Sequence, residues 1–357
     1  VNKDAVKFEK SNLAADIREM NDYLRTNNKF KMMTDLASPS STQTLLVVTY
    51  NWVWVLAVTS LVYFHSVWWA PLALLVIGSR QRALVVLTHE ASHYLLAKNR
   101  KTNDLIANIF LCFPMLKSLK YYRAVHLPHH KYLGDDKHDT DYLNDPEAMK
   151  KGWFNLYLKY LFCHEFWIIS ELKQTFKKIS AKHLICITLW WISILVILAG
   201  VVSLRFAETF ASLWFLSRAI AYHIITTFII ISDHHGLFPG SIIEYTRNHP
   251  SKGLTRWFIH PHNNGFHLTH HLMPSVPFYN LDKARKLLKG WSRYDKAEQC
   301  ENYFLGKNSV VRSWNKFNSY GTHSHETAVD NLQCVLESFG VDSPATTEIY
   351  HAQTKQA

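Results

Sequence analysis

Histidines gather at four places in this 357-residue chain, each beside a long apolar run. They read His89-Glu-Ala-Ser-His93, His126-Leu-Pro-His129-His130, Asp233-His234-His235-Gly and His267-Leu-Thr-His270-His271. Residues four apart, or three and four apart, share one face of a helix. Each cluster can therefore aim its imidazoles at one spot. Imidazole suits zinc, copper, iron and nickel, so ligand type alone does not choose the metal. Structural zinc takes four ligands at most. These clusters hold too many for one such site, and two metals are the natural reading. Ligand positions left open on redox metals suit oxygen activation.

Composition fits a membrane setting. Mean hydropathy is near neutral, but the average hides very apolar blocks alternating with very polar ones. Spans are predicted over about 45–64, 67–87, 184–204 and 210–231, each near the twenty residues a bilayer requires. Trp68 and Trp69 mark one interface, and Arg80 and Arg82 fall where they can snorkel to the other. The predicted fold is an all-α membrane protein, four transmembrane helices with a cytosolic helical cap holding a dimetal site. It divides into an N-terminal amphipathic segment (1–41), a membrane domain (42–291) and a polar C-terminal tail (292–357). Leu13, Ile17, Met20 and Leu24 give the first segment a helical stripe. Leu105–Leu116 and Trp153–Ile169 read as short helices in or near the interface.

Charge sets the orientation. The segment 94–183 is rich in Lys and Arg, and the turn at 65–66 has neither. The positive-inside rule then places both termini, that segment and all four histidine clusters in the cytoplasm. The net charge of +11 suits an anionic membrane face or head group, and no nucleic-acid motif accompanies it. Five scattered cysteines without a CxxC pair imply no disulfide framework. The polar N-terminus is not a signal peptide.

His-Glu-Ala-Ser-His, His-Leu-Pro-His-His and His-Leu-Thr-His-His, with the four-span layout, resemble the membrane fatty acid desaturase superfamily, which also includes alkane and lipid hydroxylases and terminal-alkene-forming decarboxylases. The resemblance covers roughly residues 45–290. The segment Asn263–Leu281 is especially similar to the third box of acyl desaturases. The resemblance implies a non-haem diiron centre, two Fe ions held by His89 and His93, by His126, His129 and His130, and by His267, His270 and His271. It also implies a ninth ligand from Asp233-His234-His235-Gly-Leu. There His234 matches and His235 is its rival. Asn263, four residues before His267, is similar to an Asn that reaches an iron through water.

The activity so implied is O2-dependent oxidation of an unactivated C–H on a fatty acyl lipid, most simply a desaturation. Hydroxylation and terminal-alkene-forming decarboxylation are the alternatives within the superfamily. A separate electron donor of ferredoxin, rubredoxin or cytochrome b5 type is implied. His249-Pro-Ser-Lys is not the His-Pro-Gly-Gly of a fused cytochrome b5 module, and no CxxC pairs indicate a fused rubredoxin. A different class, a zinc-dependent membrane hydrolase or metal transporter, is the rival. Asp139 and Asp141, with His138, are placed to orient ligand imidazoles, and Asp233 and Glu90 are further supporting candidates. His260/His262 and His323/His325 read as surface or supporting pairs. Arg218 and His223 either pair inside the bundle or line an acyl tunnel.

Overall fold

The computed structural model describes residues 10–162, 179–250 and 253–316. Among them the fold is helical, apart from a two-residue parallel pairing of Arg247–Asn248 with Glu298–Gln299. Four helices are long and apolar enough to cross a membrane: Ser41–Phe64, Val67–Ser92, Ala181–Val201 and Leu204–His234. They are called the first to fourth spans below. The first, third and fourth begin at serine caps: Ser40, Ser180 and Ser203 accept from the backbone N–H of Gln43, His183 and Phe206, satisfying donors a helix start leaves open. The second and fourth spans run past their apolar stretches, to Ser92 and His234. Helical hydrogen bonding continues wherever the backbone is satisfied, so the end of hydropathy is not the end of the helix. That overrun carries His89 and His234 out of the apolar layer on rigid scaffolds.

The spans are not equivalent. The most apolar window of the second is 67% buried, and that of the third is only 6% buried. The third therefore turns its side chains outward, while the second and fourth form the centre. These two touch at Gly78, where a Cβ would lie 2.6 Å from both the Ala221 Cβ and the Tyr222 backbone nitrogen. The fourth span makes a π-turn at that contact, Arg218–Tyr222, a feature common near functional sites. Trp52 and Trp214 stack at 5.2 Å, tying the first span to the fourth.

Polar groups inside the spans clamp the cap to the bundle. Arg80 does not snorkel. It is fully buried, lies over the Trp257 ring at 3.7 Å, and donates to the Trp257 carbonyl at 2.7 Å and to Asn51 at 3.2 Å. Gln81 donates to the Trp214 carbonyl, Arg218 to the Met115 carbonyl at 2.7 Å, and His223 to the Leu161 carbonyl at 2.9 Å. Charged and polar groups at membrane depth are costly unless paired, and carbonyls of the cap segments and of the fourth span supply the partners. Arg218 and His223 are thus bundle pairings.

The predicted N-terminal stripe buries Leu13, Met20 and Leu24 along the helix Lys10–Thr26. That helix lies across the cap: Asp16 accepts from the backbone N–H of Ile243 at 3.0 Å and pairs with Arg293 at 2.7 Å. Leu105–Leu116 becomes a short helix, Arg100–Ala107, extended by a π-turn to Cys112. The helix Trp153–Leu161 covers the described part of the other expected interfacial helix; its remainder, and the tail beyond residue 316 with His323 and His325, lie outside the described residues. Residues 298–316, polar in composition, nonetheless pack. Cys300, Tyr303, Val310, Val311 and Trp314 are buried beneath Phe228 and Ile231. Gly236, at φ +77°, admits this strap because a Cβ there would strike the Trp314 carbonyl oxygen at 1.9 Å.

Gly78→Val should wedge the second and fourth spans apart. Overpacking of this kind costs roughly 1–3 kcal/mol. The expected result is a clear drop in the thermal midpoint of the detergent-solubilised protein, and an unchanged midpoint would refute the contact.

Candidate metal centre

Four helix ends meet on one side of the bundle. The second span supplies His89, with His93 at its C-terminal cap. A helix from Leu119 to Lys131 supplies His126, His129 and His130. The fourth span ends at His234, and the short helix His267–Leu272 supplies His267, His270 and His271. Their nitrogens converge in two groups. His89, His93, His126, His130 and His270 form one, and His129, His234, His267 and His271 form the other; within each group the ligand atoms lie within 4.8 Å of one another. Every imidazole singled out by the boxes, and His234 rather than His235, falls in one group or the other.

The helical spacing decides which. His126 and His130, four apart, enter the first group, and His129 between them enters the second. In the third box the roles exchange: His267 and His271 enter the second group and His270 the first. Each His-His pair thus straddles the two groups, because successive helical residues point about 100° apart. The stacked rings of His130 and His271, 4.3 Å apart, mark the seam.

The donor set fits bound metal. In the first group the Nε2 atoms of His93 and His126 lie 2.9 Å apart, those of His126 and His130 3.0 Å, and those of His130 and His270 3.2 Å. In the second, His234 to His267 is 2.9 Å and His267 to His271 3.1 Å. Imidazole nitrogens each about 2.1 Å from a shared ion stand roughly 3.0–3.4 Å apart. A network of N–H···N bonds explains the contacts less well, since an Nε2 with two such neighbours cannot serve both with one proton or one lone pair. Burial, followed by neighbouring positive groups, holds His126, His130, His270 and His271 well below the usual histidine range. Burial also lowers His93 and His267 to about 4. Neutral imidazole is the form a metal takes.

Neighbouring groups fix the rings. His234 donates Nδ1–H to the Tyr245 carbonyl at 2.8 Å, which leaves Nε2 for the site. His129 donates Nδ1–H to Asp139 at 2.6 Å. Asp139 is fully buried and also accepts from the backbone N–H groups of Gly134 and Asp141. Burial disfavours a charged His129, but the charge and hydrogen bond of Asp139 outweigh it and lift the ring to about 9. This carboxylate–imidazole pair is the usual way to orient a ligand and raise its basicity. Asp141 lines the adjoining cavity. His138 turns away to Asp135 at 2.7 Å.

His235 accepts from the Asp145 backbone N–H at 3.1 Å and stands outside both groups. Asn263 engages both ends of its amide, donating to the Phe278 carbonyl beyond the third box at 2.8 Å and accepting from Arg256 in the preceding helix; its neighbour Asn264 lines the cavity. His260 is buried and His262 half-buried. His262 contacts Asn51 in the first span. Asp233, His249 and His260 form a third cluster, but His249 and His260 stack at 4.1 Å with planes 18° apart, and their nitrogens point side by side at one Asp233 oxygen. We read this trio as bracing Asp233 beside His234.

Arg123 is one of many basic residues in the segment 94–183. It donates to the Ala91 and Ser92 carbonyls at 3.0 and 3.2 Å and pairs with Asp104 at 2.8 Å. It therefore caps the helix that bears box one from the helix that bears box two. Its position three residues before His126, on the same face, was the available signal. Glu90 performs a similar service, accepting the Phe278 backbone N–H at 2.8 Å and so docking the segment after box three.

Comparison with known proteins agrees with this geometry. The profile of the fatty acid desaturase family matches residues 39–300, and the chain belongs to that family. It is 30% identical over 256 residues to a dihydrorhizobitoxine desaturase of Bradyrhizobium elkanii, covering 65% of this chain and 72% of that protein. It is 29% identical over 280 residues to the sphingolipid delta(4)-desaturase DES1 of Xenopus tropicalis, covering 71% and 78%. A mouse sphingolipid delta(4)-desaturase/C4-monooxygenase, DES2, is 27% identical over 225 residues, covering 59% and 62%.

Asp139→Asn should leave the fold intact and loosen metal at the second group by about 10–100-fold. Metal content after graded chelator dialysis checks this. Retention equal to wild type would show that Asp139 does not support a ligand.

Proposed function

We propose that this protein is an O2-dependent diiron desaturase of a fatty acyl lipid. The observation that carries the reading is the convergence of nine imidazoles in two adjoining groups, both lining one cavity through His89, His126, His129, His234 and His267. In this reading His89, His93, His126, His130 and His270 hold one iron, and His129, His234, His267 and His271 hold the other. Iron bound there would supply the redox chemistry for O2-dependent oxidation of an unactivated carbon.

The chain's own residues do the rest. Asp139 and the Tyr245 carbonyl hold two ligand rings in one tautomer. Arg123 and Glu90 keep the boxes in register. The cavity wall of Val85, Val86 and Ile230 beside the histidines excludes water from the reacting chain and positions it, and positioning governs which hydrogen is removed. Zinc hydrolysis fits less well, because five nitrogens in the first group exceed a tetrahedral set. A transporter would set its ligands near the bilayer midplane, whereas these sit at span ends. The basic content of 94–162 supports a cytoplasmic site that a separate electron donor reaches. The desaturase/C4-monooxygenase relative keeps hydroxylation as the second reading.

Lipid profiling by mass spectrometry, in a host expressing the chain with a working electron donor, tests the proposal. A new double bond is expected with wild type and should vanish with His129→Ala. A new hydroxyl in its place would favour the second reading. Matching profiles in iron-loaded cells would sink both.

A further inference from the structure

The second span carries four consecutive polar residues, Ser79, Arg80, Gln81 and Arg82, on its way to His89. Three of them have side-chain hydrogen bonds, although Arg80 Nε and Gln81 Oε1 are themselves buried without a partner. Ser79 donates to the Trp257 and Phe258 carbonyls, Arg80 is held by Trp257 and Asn51, and Gln81 donates to the Trp214 carbonyl. Arg82 differs. It is half-buried, it lines the cavity beside the histidine groups, and among the described residues no hydrogen bond or ion pair reaches it. Its Nε is sealed from solvent without a partner, as is that of Arg80, but unlike Arg80 it makes no other hydrogen bond among the described residues. A guanidinium offers five donors in a fork that matches carboxylate and phosphate oxygens, and inside a membrane protein an unpaired one marks a function rather than a stabilising contact.

The surroundings agree. Thr226, from the facing fourth span, lines the same cavity with a hydroxyl that also has no partner. Tyr122 and Tyr222 border it as well. A passage built only for the middle of a hydrocarbon chain needs none of these groups, since it would be lined by apolar side chains. The cavity volume is about 180 Å³, below the roughly 300–1,000 Å³ of pockets that engulf drug-sized ligands. It suits a head group with a short length of chain. Arg82 and His89 are seven residues apart, two turns on the same face and about 10 Å along the axis. At about 1.5 Å per C–C bond, that is fewer than about ten bonds.

We propose that Arg82 anchors an anionic oxygen group of the substrate, a carboxylate or phosphate, so that the carbon attacked lies within a short chain segment of a charged head. Thr226 adds a neutral hydrogen bond to the same group. As a substrate contact this rests on the desaturase reading, and it narrows the substrate class to amphiphiles oxidised near their polar end. Arg82 is a specificity residue here and takes no part in holding metal.

Binding without turnover tests it. The full chain in nanodiscs, under argon and without an electron donor, is titrated calorimetrically with dodecanoate, dodecyl phosphate and methyl dodecanoate, against empty nanodiscs. Wild type should prefer at least one anion over the neutral ester by about tenfold or more, the strength of a hydrogen bond to a charged group. The favoured arm tells carboxylate from phosphate. Arg82→Gln should erase the preference while leaving the ester unchanged, and Arg82→Lys should keep part of it. Equal binding of anion and ester by wild type, no binding of either anion, or an undiminished preference in Arg82→Gln would each overturn the anchor. The first two are read on wild type and do not depend on the variants folding. Iron content is measured on the same samples. Absent preference with iron retained removes the anchor and leaves the desaturase reading standing. Preference without bound iron removes the enzyme reading and leaves the anchor.

Discussion

Nine imidazoles facing one another in two tight groups form the interaction on which the structure turns. Lone pairs about 3 Å apart repel unless a proton or a cation lies between them, and protons are too few to serve every contact. The protein therefore has to force this arrangement from outside, and much of the cap does so. Arg123 staples box two to the carbonyl end of box one. Glu90 docks the segment after box three, while Asp139 and the Tyr245 carbonyl set ring orientation. Metal bound between them would contribute its binding energy to the folding of the whole cap.

The bundle underneath solves a second problem with the same parts. Arginines and a glutamine at membrane depth demand partners, and the partners they take are carbonyls of the cap segments, at Trp257 and Met115, and of the fourth span, at Trp214. Polar residues in the spans thus register the cap against the membrane helices. Arg82 is the exception to that rule, and its place beside the histidines turns a cost into a means of choosing substrates.

Much of this was legible in the sequence. Span positions followed from runs of about twenty apolar residues, and the converging histidines from spacings of three and four. Spacing did not show which group each histidine joins, because that depends on how the helices rotate against one another. The exchange of roles between His129 and His270 emerged only with the packing. Arg80 read as a snorkelling residue because composition cannot reveal that Trp257 folds over it. The strap over 298–316 was invisible for a related reason. Its buried residues are spaced irregularly and pack against residues far off in the chain, among them Phe228, Ile231 and Trp153. Spacing likewise could not show that the Asn263 amide bonds to Arg256 and to Phe278 beyond the third box.

Anomalous diffraction at the iron edge, from crystals of this chain grown with iron, tests the central claim most directly. The account predicts two peaks, one enclosed by His89, His93, His126, His130 and His270 and the other by His129, His234, His267 and His271. A single peak, or iron lying away from these rings, would contradict it.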